Sequence, residues 1–425
     1  MAAQSTMPEP LAGIRVIEMT LAIQGPAAGV YLVDMGADVI KVEPPLGDPN
    51  RLGRGVDNDL PMGTMSAQFV ACNRGKRSVC MDLTTDLARQ ALHALLATAD
   101  VFLTNYRQLA LDKLGLDEKT LKALYPDLIY ASVNGFGPLG PDADKAMLDG
   151  AAVARGGLAG MTGYADRTPV LPAAAIGDHA GAMQLALGVM TALLVRERQG
   201  IAQRVQTSAL GAQLWLQQWE ITHASMTGAR LNRAGPHHPN IHGPYGIYQT
   251  SDGGAIMIAQ TMQEEAWDAF CIFADVPELS VDPRWMTPGK RLGQGATHDD
   301  SAEVRASLRE AFSKKTTARW EEFLRTQPEI IWDRVRQWHE VLDDEQSIAN
   351  GYVATVDVPN FRPTRVVGNL VTLGCTPGSV KGGPPELGEG NETILAMVGF
   401  NASDREIIKS RADAERERVM AALTR

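Results

Sequence analysis

At 425 residues the chain is too long for one ordinary hydrophobic core, so two or three domains are expected. Its formal net charge of −10 disfavours general binding to nucleic acid. The sequence contains no uninterrupted run of about 18 apolar residues, so it does not indicate a membrane span. The four cysteines are widely spaced and form no CxxC pair, which argues against a disulfide framework or a structural zinc site. We therefore expect a cytoplasmic enzyme with no nucleic-acid partner and no membrane partner.

Strand and helix patterns alternate through the first 150 residues. Strands are predicted in GIRVIEM, ADVIKVEPP, RSVCMDL, DVFLTNY and DLIYASVNGFG, and helices in AAGVYLVDMG, DLARQALHALLATA and LDEKTLKALYP. Strands separated by helices at this spacing indicate βαβ units. An α/β fold with a mainly parallel sheet is therefore expected.

Composition changes over residues 151–178, which are rich in Gly, Ala and Pro and predict an extended segment ending at Asp178. A long helix, HAGAMQLALGVMTALLVRERQG, follows and ends at Gly200. A second unit begins near Tyr245, where GIYQTSDGGAIMIAQ predicts a hairpin. Helical patterns follow to about residue 330, and the chain ends in two further predicted helices.

Most familiar catalytic signatures are missing. The chain contains no GxGxxG, GxxxxGK[ST], HExxH or GxSxG motif, so standard dinucleotide and Walker-type phosphate loops are not indicated. His237, His238 and His242 form a group, but HHPNIH is equally a turn, and we expect no metal site there.

Asp178 stands out by its position between a Gly-rich approach and a long apolar helix. One interpretation is a helix N-cap, where Asp is among the preferred residues. The other is a nucleophile, since a helix N-terminus favours a carboxylate and the small neighbours in IGDHAGAM leave room for a bulky electrophile.

Five segments, taken in order, resemble the class III (family III) coenzyme A transferases, the group that includes formyl-CoA:oxalate and carnitine CoA transferases. They are LAGIRVIEMT with the following LVDMGADVIKVEPPLGDPNR, NRGKRSVCMDL, DVFLTNYRQLALDKLGLD with YASVNGFGPLGP, LPAAAIGDHAGAMQLALGVMTALLVRERQG, and PPELGEGNETIL. The resemblance spans residues 11 to about 400. It implies an enzyme that moves CoA from an acyl-CoA donor to a carboxylic acid acceptor, with CoA as a substrate and no permanently bound cofactor.

The resemblance also implies an architecture. A large Rossmann-like domain would be built from both chain ends, residues 1–225 and 330–425, and a smaller α+β domain from residues 226–329. Two subunits would interlock as linked rings in a homodimer, with the active site between the domains.

Site residues follow from the same resemblance. Asp178 falls on the nucleophile, which would form an aspartyl anhydride and then an aspartyl-CoA thioester. Residues that fall on CoA-contacting or thioester-site positions are Ile23, Gln24, Gly25, Asn105, Tyr106, Lys113 and Asp149. The basic cluster Arg74, Lys76 and Arg77 could add an electropositive face for the CoA phosphates.

Some positions depart from the family pattern. Ile23 replaces a Gln of the oxalate-using enzymes, their run of four glycines is absent at residues 258–267, and Gly388 replaces the usual His. Oxalate is therefore not the expected acceptor.

Alternatives to an intermolecular CoA transferase are an intramolecular CoA transferase, a non-catalytic acyl-CoA-binding protein, and an α-methylacyl-CoA racemase. The racemase's catalytic His has no counterpart in GPDADKAMLDGAAV.

Overall fold

The computed structural model of the protein describes residues 8–53, 59–61, 63–259 and 263–423. The strands are β1 Arg15–Met19, β2 Asp38–Glu43, β3 Arg77–Cys80, β4 Val101–Thr104, β5 Ile129–Asn134, β6 Arg204–Ser208, β7 Gly246–Gln249, β8 Ala255–Ala259, β9 Ile331–Arg334, β10 Val353–Val356 and β11 Thr364–Val367. The α-helices are α1 Gln24–Asp34, α2 Ala67–Asn73, α3 Asp86–Leu96, α4 Gln108–Leu114, α5 Glu118–Leu124, α6 Asp149–Arg155, α7 Leu158–Met161, α8 Ile176–Gln199, α9 Ala209–Leu216, α10 Gln218–Thr227, α11 Glu264–Phe273, α12 Pro288–Arg291, α13 His298–Ser313, α14 Thr317–Leu324, α15 Trp338–Leu342, α16 Glu345–Ala349, α17 Asn391–Met397 and α18 Ala402–Leu423.

Six strands form one parallel sheet in the order β3-β2-β1-β4-β5-β6. The strands are short apolar runs, and β4 is buried along its whole length because helices cover both faces of a parallel sheet. The predicted α/β fold with a parallel sheet is confirmed.

The strand order reverses between β1 and β4. The chain first adds β2 and β3 on one side of β1, then crosses to place β4 on the other side. The segments that leave Met19 and Thr104 therefore emerge side by side at the carboxyl edge of the sheet. In open α/β sheets this reversal point is the preferred crevice for ligands.

Helix α8 packs on α1 and on the sheet through its buried face. That face consists largely of small and branched residues, namely Ala182, Leu185, Ala186, Val189, Ala192 and Leu193. By length and composition alone α8 could also cross a membrane, but the buried helix of a folded core meets the same criteria. The expectation of no membrane partner stays a prediction.

The segment 151–178 is not extended as predicted. Two short helices, α6 and α7, occupy its first part, and α8 already begins at Ile176. Gly157 separates α6 from α7 with a φ of 95°, a conformation that glycine adopts readily. The abundance of Ala made short helices possible where Gly and Pro had suggested none.

Contacts divide the chain into two compact units. The first comprises Met1–Gly156, Ala174–Leu216 and Leu342–Arg425, and the second comprises Gly157–Ala173 and Gln217–Val341. The second unit contains the antiparallel strands β7, β8 and β9, so the predicted hairpin is present as β7 and β8. The unit boundaries lie near, but not at, the predicted limits of 226–329, and the assignment of these units as CoA-binding and small domains stays a prediction.

Candidate active site

Asp178 lies in the first turn of α8, two residues after the start of the helix. It is not the N-cap, because that position is Ala175, which has no side chain able to cap. Instead the Asp149 Oδ1 atom accepts a hydrogen bond of 3.0 Å from the Asp178 backbone N–H. Asp149 thus satisfies a free amide of the helix start, and the Asp178 carboxylate is left available for another role.

Polar side chains approach the start of α8 closely, and they can do so because residue 177 is a glycine. A Cβ there would lie 3.0 Å from Asp149 Oδ1 and 3.1 Å from Gln213 Nε2. Gln213 comes from the neighbouring helix α9 and is fully buried. The small residues of IGDHAG therefore allow close approach of polar side chains to the helix start.

Burial and the nearby Asp149 carboxylate raise the pKa of Asp178 to about 6, with burial the larger cause. Both effects disfavour the charged form, because burial removes water and Asp149 adds a like charge. A carboxyl group with such a pKa is still mostly ionised at neutral pH, and its charge is poorly solvated. It is therefore suited to act as a nucleophile.

A pH dependence follows from this pKa. If Asp178 reacts as the carboxylate, its rate of acylation by an acyl-CoA should rise with pH and reach half its maximum near pH 6. Asp149→Asn keeps an oxygen that can accept the Asp178 N–H but removes the charge, so the midpoint should move to lower pH. Rates measured from pH 4.5 to 8 test this, and an unchanged midpoint in Asp149→Asn would contradict the assigned cause.

The segment after β1 approaches this helix in a constrained conformation. Ala22 has a φ of 65°, which is unfavourable for a residue with a Cβ and persists only where the surroundings impose it. Asn105, which follows β4, accepts from the Leu21 N–H at 2.9 Å and donates to the Leu21 carbonyl at 2.7 Å. Gly25 packs against Thr20 and Asn105, where a Cβ would overlap Thr20. The predicted residues Ile23, Gln24, Gly25 and Asn105 thus come together at the reversal point of the sheet.

A cluster of buried charged side chains also fixes this segment, residues 20–26, in position. Lys76 Nζ donates to the Pro26 carbonyl at 2.8 Å and lies 2.8 Å from Glu18 Oε2. Lys41 Nζ donates to the Thr20 carbonyl at 2.8 Å and lies 3.3 Å from Glu18 Oε1. Carbonyls at both ends of the segment are therefore tied to two buried ammonium groups that share one carboxylate.

The expectation of an exposed electropositive face is wrong for Arg74 and Lys76. Both are buried, and Arg74 is paired with Asp34 through contacts of 2.5 and 2.7 Å. Arg77 is half-exposed but pairs with Asp38. Buried cations require such partners because an unpaired charge is costly away from water. Any contact of these residues with CoA stays a prediction.

The remaining predicted positions are spread along the large sheet. Tyr106 is partly buried and packs against a hydrophobic core cluster, where burial raises its pKa to about 12. Lys113 is exposed in the last turn of α4. Neither has a described contact with Asp178, so their roles stay predictions.

One departure from the family pattern has a local structural reason. Gly388 has a φ of 71°, and a Cβ there would lie 3.0 Å from the Cβ of Cys80. The local backbone therefore favours glycine over any larger residue. In the segment 258–267, residues 260–262 lie outside the described residues.

Sequence reasoning missed Glu18, Lys41 and Gln213. The first two carried a signal, because a charged residue stands in the middle of each of the apolar runs RVIEM and DVIKVE. Charges inside a buried strand require a partner and often mark a site. Gln213 carried no such signal, since a polar residue in a helix is ordinarily exposed.

The chain is similar to known proteins along most of its length. The profile of CoA-transferase family III matches residues 11–391. The chain is 32% identical to succinyl-CoA–D-citramalate CoA-transferase of Chloroflexus aurantiacus, over 95% of this chain and 98% of that one. It is 31% identical to a probable fatty acyl-CoA transferase of Mycobacterium tuberculosis, over 91% and 98% of the two chains. The crystal structure of a CAIB/BAIF family protein from Brucella suis superposes with a TM-score of 0.79 at 29% identity, over 92% and 100%. The chain therefore belongs to CoA-transferase family III.

Proposed function

We propose that this CoA-transferase moves CoA between two carboxylic acids through covalent intermediates on Asp178. The observation that carries the proposal is the position of Asp178, which lies in the first turn of α8 with a raised pKa and its backbone N–H bonded to Asp149. A poorly solvated carboxylate with small neighbours is a suitable nucleophile towards a thioester.

The proposed reaction has four steps. The Asp178 carboxylate attacks the donor thioester, the C–S bond breaks, and an aspartyl anhydride and CoA thiolate form. The thiolate attacks the aspartyl carbonyl, which releases the donor acid and leaves an aspartyl-CoA thioester. The acceptor carboxylate attacks this thioester, forming a second anhydride and freeing the thiolate. Attack of the thiolate on the acceptor carbonyl then yields the new acyl-CoA and regenerates Asp178.

Intact-protein mass spectrometry tests the covalent steps. The protein is incubated with succinyl-CoA or acetyl-CoA and then with hydroxylamine, which converts an activated aspartyl group into a hydroxamate. We expect this modification in the wild type, located at Asp178 by peptide mapping, and its absence from Asp178→Ala. Succinyl-CoA is chosen because the Chloroflexus relative is named for it. A wild type left unmodified by both donors, or modification that persists in Asp178→Ala, would contradict the proposal.

We further propose that the protein works as a homodimer, interlocked as in the family it belongs to. The dimer proposal is supported by apolar side chains exposed on α8 and α9, including Met183, Leu187, Leu194, Leu214 and Trp215. Exposed apolar groups in this number commonly mark an interface. Light scattering should report twice the chain mass of 45.8 kDa, and a mass of one chain would contradict the dimer.

A further inference from the structure

The side chain of Gln24 is buried against α8, the helix that carries the proposed nucleophile, and its amide nitrogen is unsatisfied. Only 5% of Gln24 is exposed, and among the described residues its Nε2 atom has no hydrogen-bond partner. A buried N–H₂ group without an acceptor is unfavourable, and natural proteins rarely keep one without a function.

The carboxamide lies against Gly181 of α8. A Cβ at position 181 would overlap Gln24 Nε2 and lie 3.0 Å from Gln24 Cδ. Residue 181 is one helical turn beyond Asp178, and residues three apart share a face of a helix. The Nε2 atom is therefore directed at the face of α8 that carries Asp178.

The position of Gln24 is determined by the backbone around it. Gln24 is the first residue of α1 and lies within the segment 20–26, whose carbonyls bind Lys41, Asn105 and Lys76. This segment includes the unfavourable φ of Ala22. The side-chain amide of Gln24 is thus held in place before any substrate binds. Such preorganisation is required for an electrostatic contribution to catalysis.

We propose that Gln24 Nε2 donates a hydrogen bond to the carbonyl oxygen of the acyl or thioester group carried on Asp178. This inference rests on the proposed function. As the carbonyl carbon is attacked, negative charge develops on its oxygen, and the unused N–H of Gln24 gains the acceptor that it lacks in the free protein. The side chain would act alongside the backbone amides of the same segment.

Gln24→Leu removes the donor and keeps an apolar group of similar size. We expect the rate of Asp178 acylation by saturating succinyl-CoA to fall by about 10²- to 10³-fold, as when one oxyanion donor is removed. The half-saturating succinyl-CoA concentration should change less than about threefold, because the bond forms mainly in the transition state. The Tm should be unchanged or higher, since the variant buries no unsatisfied amide.

Two further variants sharpen the test. Gly181→Ala should lower the rate as well, because its Cβ displaces the carboxamide. Gln184→Leu is the matched control, since Gln184 lies on the same helix and bonds Thr207 instead; it should leave the rate unchanged. A Gln24→Leu rate within threefold of the wild type, an effect on half-saturation alone, or a lowered Tm would overturn the inference while leaving the proposed function intact. A wild type that is not acylated would overturn both.

Discussion

Asp178→Asn is expected to lower kcat by at least about 10⁴-fold, equivalent to about 5.5 kcal/mol of transition-state stabilisation. The amide is nearly the same size as the carboxylate but cannot form an anhydride or a thioester. Loss of a nucleophile removes the covalent route altogether, so its effect exceeds that of removing a supporting hydrogen bond. The measurement is CoA transfer from succinyl-CoA to a panel of carboxylic acids, followed by chromatography of the acyl-CoA products.

Binding should be much less affected than turnover. We expect the Kd for free CoA to stay within about threefold of the wild type, because the nucleophile contributes little to ground-state binding. Asp86→Asn is the control, since Asp86 is an exposed residue in the first turn of α3. A kcat for Asp178→Asn within tenfold of the wild type would exclude Asp178 as the nucleophile.

Glu18→Gln is expected to have the largest effect on stability, lowering the free energy of unfolding by about 3–5 kcal/mol. Glu18 is the shared partner of Lys41 and Lys76, and all three side chains are fully buried. Among the described residues, removing its charge leaves Lys76 without a salt bridge, while Lys41 keeps its salt bridge to Asp48 at 3.2 Å. Urea denaturation of the purified variant measures the loss.

Two comparisons isolate the cause. Glu118→Gln breaks a half-exposed pair with Arg204 and should cost less than about 1 kcal/mol. The double variant Glu18→Gln/Lys76→Met should recover part of the loss, because it also removes a buried unpaired charge. A cost for Glu18→Gln no greater than that of Glu118→Gln would show that the cluster is not a net electrostatic constraint.

The stability lost in Glu18→Gln should become smaller as the pH rises. Burial, the largest cause, lowers the pKa of Lys76 to about 8, well below that of a lysine in the unfolded chain. Above pH 8 the folded wild type itself loses the Lys76 proton. The difference in unfolding free energy between wild type and Glu18→Gln should therefore shrink between pH 7 and pH 9.

The periodicity of the chain by itself determined the main sheet. Short apolar runs alternating with helical patterns predicted parallel strands, and all six strands of the large sheet are parallel. The order of these strands was not predictable, because periodicity describes one element at a time and pairing is a tertiary property. Only the folded chain shows that β1 and β4 are neighbours, and hence that Ile23 and Asn105 converge.

The ordered motifs of the sequence also determined the family and selected Asp178 among its acidic residues. They could not determine which charges are exposed. In the sequence NRGKR suggested a phosphate-binding surface, yet the acids that neutralise Arg74 and Lys76 are Asp34 and Glu18, 40 and 58 residues earlier in the chain. Burial and pairing depend on such distant partners, so only the tertiary structure decided that these cations lie inside the fold. The same reason explains Gln24, whose buried and unsatisfied amide exists only because α1 and α8 pack with a glycine between them.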